Sequence, residues 1–219
     1  MTIWRAPLAL VALITFPLVA GTLRLVELGG GPVLLPTNPR IDASPIPLVV
    51  HVLAAAAYGI GGAFQFSARL RRRQLVWHRR TGRILVGAGL VVAGSGLWMT
   101  LCYVDAPGGG LLWFVRLVVV SVMAACLVLG VAAVRRRDVR AHRAWMIRAY
   151  ALGVAAGTQV ITQGVGEAAF GTSNLSTALS VSAGWIVNIV AAELIIRRPV
   201  VGRTTTHRER RAGAAMGES

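Results

Sequence analysis

His78 and His142 are the residues of this chain best suited to hold a metal. Each stands at the head of an apolar segment and is followed at once by arginine, in His78-Arg79-Arg80-Thr81-Gly82-Arg83 and His142-Arg143-Ala144-Trp145-Met146-Ile147-Arg148. A neutral imidazole is a good iron ligand, and two imidazoles facing each other across a helical bundle are the usual axial pair of a b-type haem. Arg79, Arg83 and Arg143 stand where haem propionates or lipid phosphates would meet a guanidinium. A His-Arg pair at a membrane interface also serves as a plain anchor to lipid phosphate, so both readings stay open at this point.

His51 differs from the other two. It lies about one turn into an apolar, glycine-rich segment that ends near Arg69. At about 1.5 Å per residue, His51 is roughly 27 Å from that end of its helix. It therefore cannot share one small site with His78 and His142. As a cofactor ligand it would need a site of its own, with Met99 at comparable depth. A hydrogen bond between helices, or a proton-accepting group, is the plainer role.

A third set is polar and sits inside apolar segments: Arg148, Thr158, Gln159, Thr162 and Gln163 on one, Asn188 and Glu193 on the next. Polar groups inside a bilayer are costly and mark candidate sites. Glu193 and Arg148 fall at similar depth, so an ion pair between them is expected. The set either lines a path for a transported or bound small ligand or hydrogen-bonds the helices to one another.

The elements that must carry these residues are membrane helices. Of the 219 residues, 55% are hydrophobic and 14% are charged, where a soluble domain has about 25% charged. The mean hydropathy is +0.66. Apolar runs near the roughly 20 residues that cross a bilayer cover about 6–26, 48–68, 84–103, 111–134, 144–165 and 177–196. The expected architecture is all-α, an integral membrane bundle of six helices, with residues 1–198 as a single transmembrane domain. Residues 199–219 read as a disordered basic tail. The first run outlasts a signal-peptide core, so it is expected to stay as a helix, kinked at Pro17. The glycine- and proline-rich stretch 27–47 reads as a loop folded over one mouth of the bundle.

Charge gives the orientation. The net charge is +15, and all 23 basic residues are arginine. Twenty lie at the N-terminus, in 69–83, in 135–148 and from 197 onward; three, Arg24, Arg40 and Arg116, lie on the other side. The positive-inside rule then places both termini and both basic loops in the cytoplasm, for a multi-pass protein of the bacterial inner membrane. The expected partners are the bilayer itself, anionic lipid headgroups at the arginine-rich loops and, if haem is bound, a quinone or small redox protein. Nucleic acid is excluded as a partner because no basic soluble domain exists to carry it. Cys102 and Cys126 match no disulfide or zinc spacing.

Small residues indicate close packing. Gly82, Gly89 and Gly96 recur at sevens, and Gly153 with Gly157 forms a small-xxx-small pair. On the fifth segment His142, Met146, Ala149, Gly153 and Ala156 share a face, which would leave room for a porphyrin.

These residues carry a resemblance. His51 with Gly62, Phe64 and Arg69, the His78–Arg83 and His142–Ala151 segments, and Trp185, Asn188 and Glu193 are similar to an uncharacterised family of bacterial six-helix membrane proteins, a domain of unknown function. The likeness spans about Leu48 to Arg198 and implies no activity. A looser resemblance is to the six-helix transmembrane b cytochromes that reduce ferric iron or monodehydroascorbate. Those carry one histidine on each of four central helices. His51, His78 and His142 look like the second, third and fifth, and the fourth segment has none, which leaves at most the inner haem.

Overall fold

The computed structural model describes residues 5–198, which form helices joined by turns and irregular loops, with no strand among the described residues. The expected tail 199–219 lies outside the described residues. The first helix, α1 (Arg5–Leu28), runs unbroken through Pro17, as membrane helices allow when neighbours satisfy the freed carbonyl. A clip then organises the loop. Glu27 pairs with Arg24 at 2.7 Å and accepts the amides of Leu34 and Leu35 at 2.5 Å, while Arg24 donates to the Pro36 carbonyl. Within the loop lies the short α2 (Pro39–Ala43), with proline at its first position. Tyr103 donates its hydroxyl to Ser44 at 2.7 Å, which ties the loop to one end of the bundle.

α3 (Ile46–Gln65) stops at Phe66 and Ser67, and α4 (Ala68–Arg73) follows. α5 (Leu75–Cys102) starts nine residues before the expected span. The arginine-rich stretch is therefore mostly helical, not loop. Arginine is a good helix former, and its long stem lets the charge stay wet while the backbone remains regular. A turn with Asp105, Gly108 and Gly109 at positive φ leads into α6 (Gly109–Arg135).

The fifth expected span is two helices, α7 (Val139–Gly153) and α8 (Ala155–Phe170), broken at Val154. α9 (Asn174–Arg197) completes the chain. Among the described residues five helices, α1, α3, α5, α6 and α9, are long and apolar enough to cross a membrane. α7 and α8, at 15 and 16 residues, are each too short to cross alone, and α7 also carries Arg140, Arg143 and Arg148.

The helices alternate in direction, so Arg5, α4, the start of α5, the end of α6, the start of α7 and Arg197 share one arginine-rich end. α3 packs most extensively on α5, α6 on α7, and α8 on α9. The core between them is built on Tyr58, Val92, Met123, Leu127, Ala149 and Tyr150. Phe16, Ile60, Leu90, Phe114 and Val128 point outward, as lipid-facing side chains do. Glycine permits two close crossings. A Cβ at Gly157 would strike the Leu13 carbonyl of α1, and one at Gly184 would lie 3.1 Å from the Gln159 amide of α8.

Candidate functional site

His78 and His142 both fall in the first turn of their helices, at the arginine-rich end. The chain reaches this arrangement through α6. A Cβ at Gly130 would strike the Met146 side chain and lie 3.3 Å from that of Trp145, so only glycine lets α7 settle this close. The His142 ring then reaches the Gly130 carbonyl with Nδ1 at 2.8 Å. A carbonyl only accepts, so Nδ1 carries the proton and Nε2 keeps its lone pair. This is the tautomer that metal-bound histidines adopt when a backbone carbonyl orients them.

His78 stands at the same end, and its Nδ1 is buried without a hydrogen-bond partner. A buried nitrogen left unpaired costs about 1–3 kcal/mol, which a bound water or a ligand would offset. Gln65 Oε1 is a second buried atom without a partner at this end of the bundle, although Gln65 Nε2 donates to Thr81. One turn beyond His78, a Cβ at Gly82 would meet nothing nearer than that Gln65 oxygen, at 3.9 Å.

Two imidazoles at one end of the bundle are the donor type a haem iron takes, and beside Gly82 the nearest atom to an added Cβ is already in van der Waals contact. The room expected deeper along α7 is filled. A Cβ at Gly153 would sit 2.7 Å from the Tyr58 ring and 3.0 Å from Met123, and Ala149 is wholly buried. The break at Val154 ends the shared face and leaves Ala156 exposed. Any porphyrin is confined to the arginine-rich end.

The arginines divide. Arg79 and Arg83 are exposed and share the face of α5 that carries Val86 and Leu90, about 100° round from His78. Arg143 is exposed one residue past His142. Arg71, on the short α4, is a further exposed cation at this end. Sequence reasoning missed Arg71, because the arginine run read as a loop; a helical reading of 68–73 would have found it.

His51 is far from this group. Its Nδ1 lies 2.9 Å from Ser95 Oγ on α5. The Ser95 hydroxyl also faces the Val91 carbonyl at 2.6 Å, so His51 and Ser95 share one hydrogen bond whose direction follows the His51 tautomer. Met99 is not its partner. The bond joins α3 to α5.

The polar residues of α7, α8 and α9 bind one another. Arg148 holds Glu193 through two bonds, Nε to Oε1 at 2.6 Å and Nη2 to Oε2 at 3.1 Å, and stacks over Trp145. Thr158 donates to Asn188 Oδ1 at 2.7 Å, and Asn188 Nδ2 donates to the Ala151 carbonyl at 2.9 Å. Ala151 lies in the last turn of α7, where carbonyls lack helical partners. Asn188 thus caps the broken helix from across the interface. Gln159 donates to the Val181 carbonyl at 3.2 Å. Gln163 is not part of this bonded set.

A groove of about 490 Å³ opens between α5 and α6 near the arginine-rich end, with Arg135 and Arg136 at its rim. Among the described residues no cluster of three or more His, Cys, Asp or Glu side chains stands ready to hold a metal.

A family model described as predicted membrane protein (DUF2306) matches residues 48–196. That is more than half of the chain, which belongs to this family; α1 precedes the matched region. No curated protein and no solved structure matches the chain.

Proposed function

We propose that this family member is a b-type haem protein of the bacterial inner membrane, with His78 and His142 as axial ligands and the arginine-rich end in the cytoplasm. The observation that carries the reading is the His142 ring, held by the Gly130 carbonyl so that Nε2 is free, at the same end of the bundle as a second imidazole whose Nδ1 is buried and unpaired. Haem at this place would supply one-electron chemistry to a quinone or a small redox partner. The chain's own share is to orient both imidazoles and to offer cations, Arg71 and Arg143 foremost, to two propionates. Arginine bias supports the orientation, and the same arginines suit anionic headgroups.

The alternative, a transporter or small-ligand-binding protein working through α8 and α9, draws less support. Arg148, Gln159, Asn188 and Glu193 are already engaged with one another or with backbone.

The test is an absorbance spectrum of the full chain purified after expression with haem supply, oxidised and then reduced with dithionite. A Soret band that shifts on reduction, is lost in His78→Ala and His142→Ala, and survives His51→Ala is the expected result. A chain with no Soret band refutes the reading.

A further inference from the structure

The groove between α5 and α6 has walls of one kind and a rim of another. Val86 and Leu90 of α5 face Val128, Val131 and Ala132 of α6, and none of these side chains can donate or accept a hydrogen bond. A quinone ring or other polar headgroup would find no side-chain partner there, whereas hydrocarbon would. At the rim stand Arg135 and Arg136, both exposed, and neither forms an ion pair among the described residues. Asp138, the acidic residue nearest in sequence, is occupied as the N-cap of α7, accepting from the Ala141 amide at 2.9 Å.

We propose that this groove is a site for one anionic glycerophospholipid of the bilayer, its acyl chain along the apolar walls and its phosphate on Arg135 and Arg136. Length agrees with this occupant. From Arg136 back to Val128 is about 12 Å of helix, and one leaflet of hydrocarbon is about 15 Å deep. The groove therefore takes a chain from one leaflet and ends short of the midplane. Charge agrees too, since a guanidinium presents planar donors that match phosphate oxygens. The remaining arginines at this end attract anionic lipid diffusely; the groove adds shape and hence a stoichiometry of one. The proposal is independent of haem, because no groove residue is a proposed haem contact.

The test is native mass spectrometry of the full chain in detergent, delipidated and then titrated with palmitoyl-oleoyl phosphatidylglycerol or phosphatidylcholine. One phosphatidylglycerol per chain should be retained in preference to phosphatidylcholine. At about 1 kcal/mol per arginine near an anionic headgroup, Arg135→Gln with Arg136→Gln should weaken retention about thirtyfold. Arg137→Asn with Arg140→Gln, which removes the same charge from the same end of the bundle, should weaken it far less. Ala132→Phe, which fills the groove without touching charge, should also abolish the single bound lipid. It keeps the proposal testable if the double arginine variant does not fold. Equal losses from the two arginine pairs, equal retention of phosphatidylcholine, or full binding by Ala132→Phe would each overturn the site.

Discussion

The bond set around Asn188 allows a prediction with a worked magnitude. Replacing Asn188 by leucine keeps the volume and removes two interhelical hydrogen bonds, to Thr158 and to the Ala151 carbonyl. Such bonds average about 0.6 kcal/mol in a membrane protein, or about 1.2 kcal/mol for two. The larger part of the loss comes from the carbonyl at the break. With no partner it costs a further 1–3 kcal/mol or so. The expected destabilisation is thus about 2–4 kcal/mol. Thr158→Val removes one bond and leaves the Ala151 carbonyl satisfied, so about 0.6 kcal/mol is expected there. Reversible unfolding of the purified protein in mixed micelles, followed by circular dichroism, measures both. If Asn188→Leu cost no more than Thr158→Val, the carbonyl at the break would not depend on Asn188, and the account of α7 and α8 would fail.

Other expectations follow from single contacts. Glu193→Gln leaves Arg148 about a quarter exposed without its carboxylate; a double-mutant cycle with Arg148→Met should return a coupling of about 1–2 kcal/mol, between surface and buried pairs. A Cβ at Gly62 would collide with the Tyr150 ring, while one at Gly87 meets nothing within 4 Å. Gly62→Ala should therefore destabilise by about 1–3 kcal/mol and Gly87→Ala should be neutral or stabilising by up to about 1 kcal/mol, as read by thermal melts of the two variants. Ser95→Ala, which removes the hydrogen-bond partner of His51, should cost about 0.6 kcal/mol and leave any haem spectrum unchanged. A C-terminal green fluorescent protein fusion should fluoresce if the proposed orientation, with that end in the cytoplasm, holds; a dark, secreted fusion would reverse it.

The residues differ in how plainly the chain announced them. Arg148 and Glu193 were paired by depth alone, because a carboxylate and a guanidinium placed alike in apolar helices have few other partners. His78 and His142 were assigned to one end by the arginines around them, and they do fall at one end. The break at Val154 left no mark in the sequence. No proline interrupts that stretch, and what stabilises the break is a side chain on α9, more than thirty residues on. The filled space at Gly153 was equally hidden, because Tyr58 and Met123 reach it from α3 and α6. The helix in the arginine run was missed for a different reason. Charge density suggested a loop, yet backbone regularity depends on propensity and not on charge.

The length of α5 bears on voltage. Its 28 residues make about 42 Å of helix, against about 30 Å of hydrocarbon. A tilt large enough to hide the surplus would exceed the usual range of membrane helices. The first turns of α5, with His78, therefore stand at headgroup depth. A full charge crossing the membrane exchanges about 2.3 kcal/mol with each 100 mV of potential, but a charge stopping beside His78 from the arginine-rich face crosses little of that drop. A haem held there as proposed would therefore exchange its electron with little electrical work, and its midpoint should not shift when the membrane is energised.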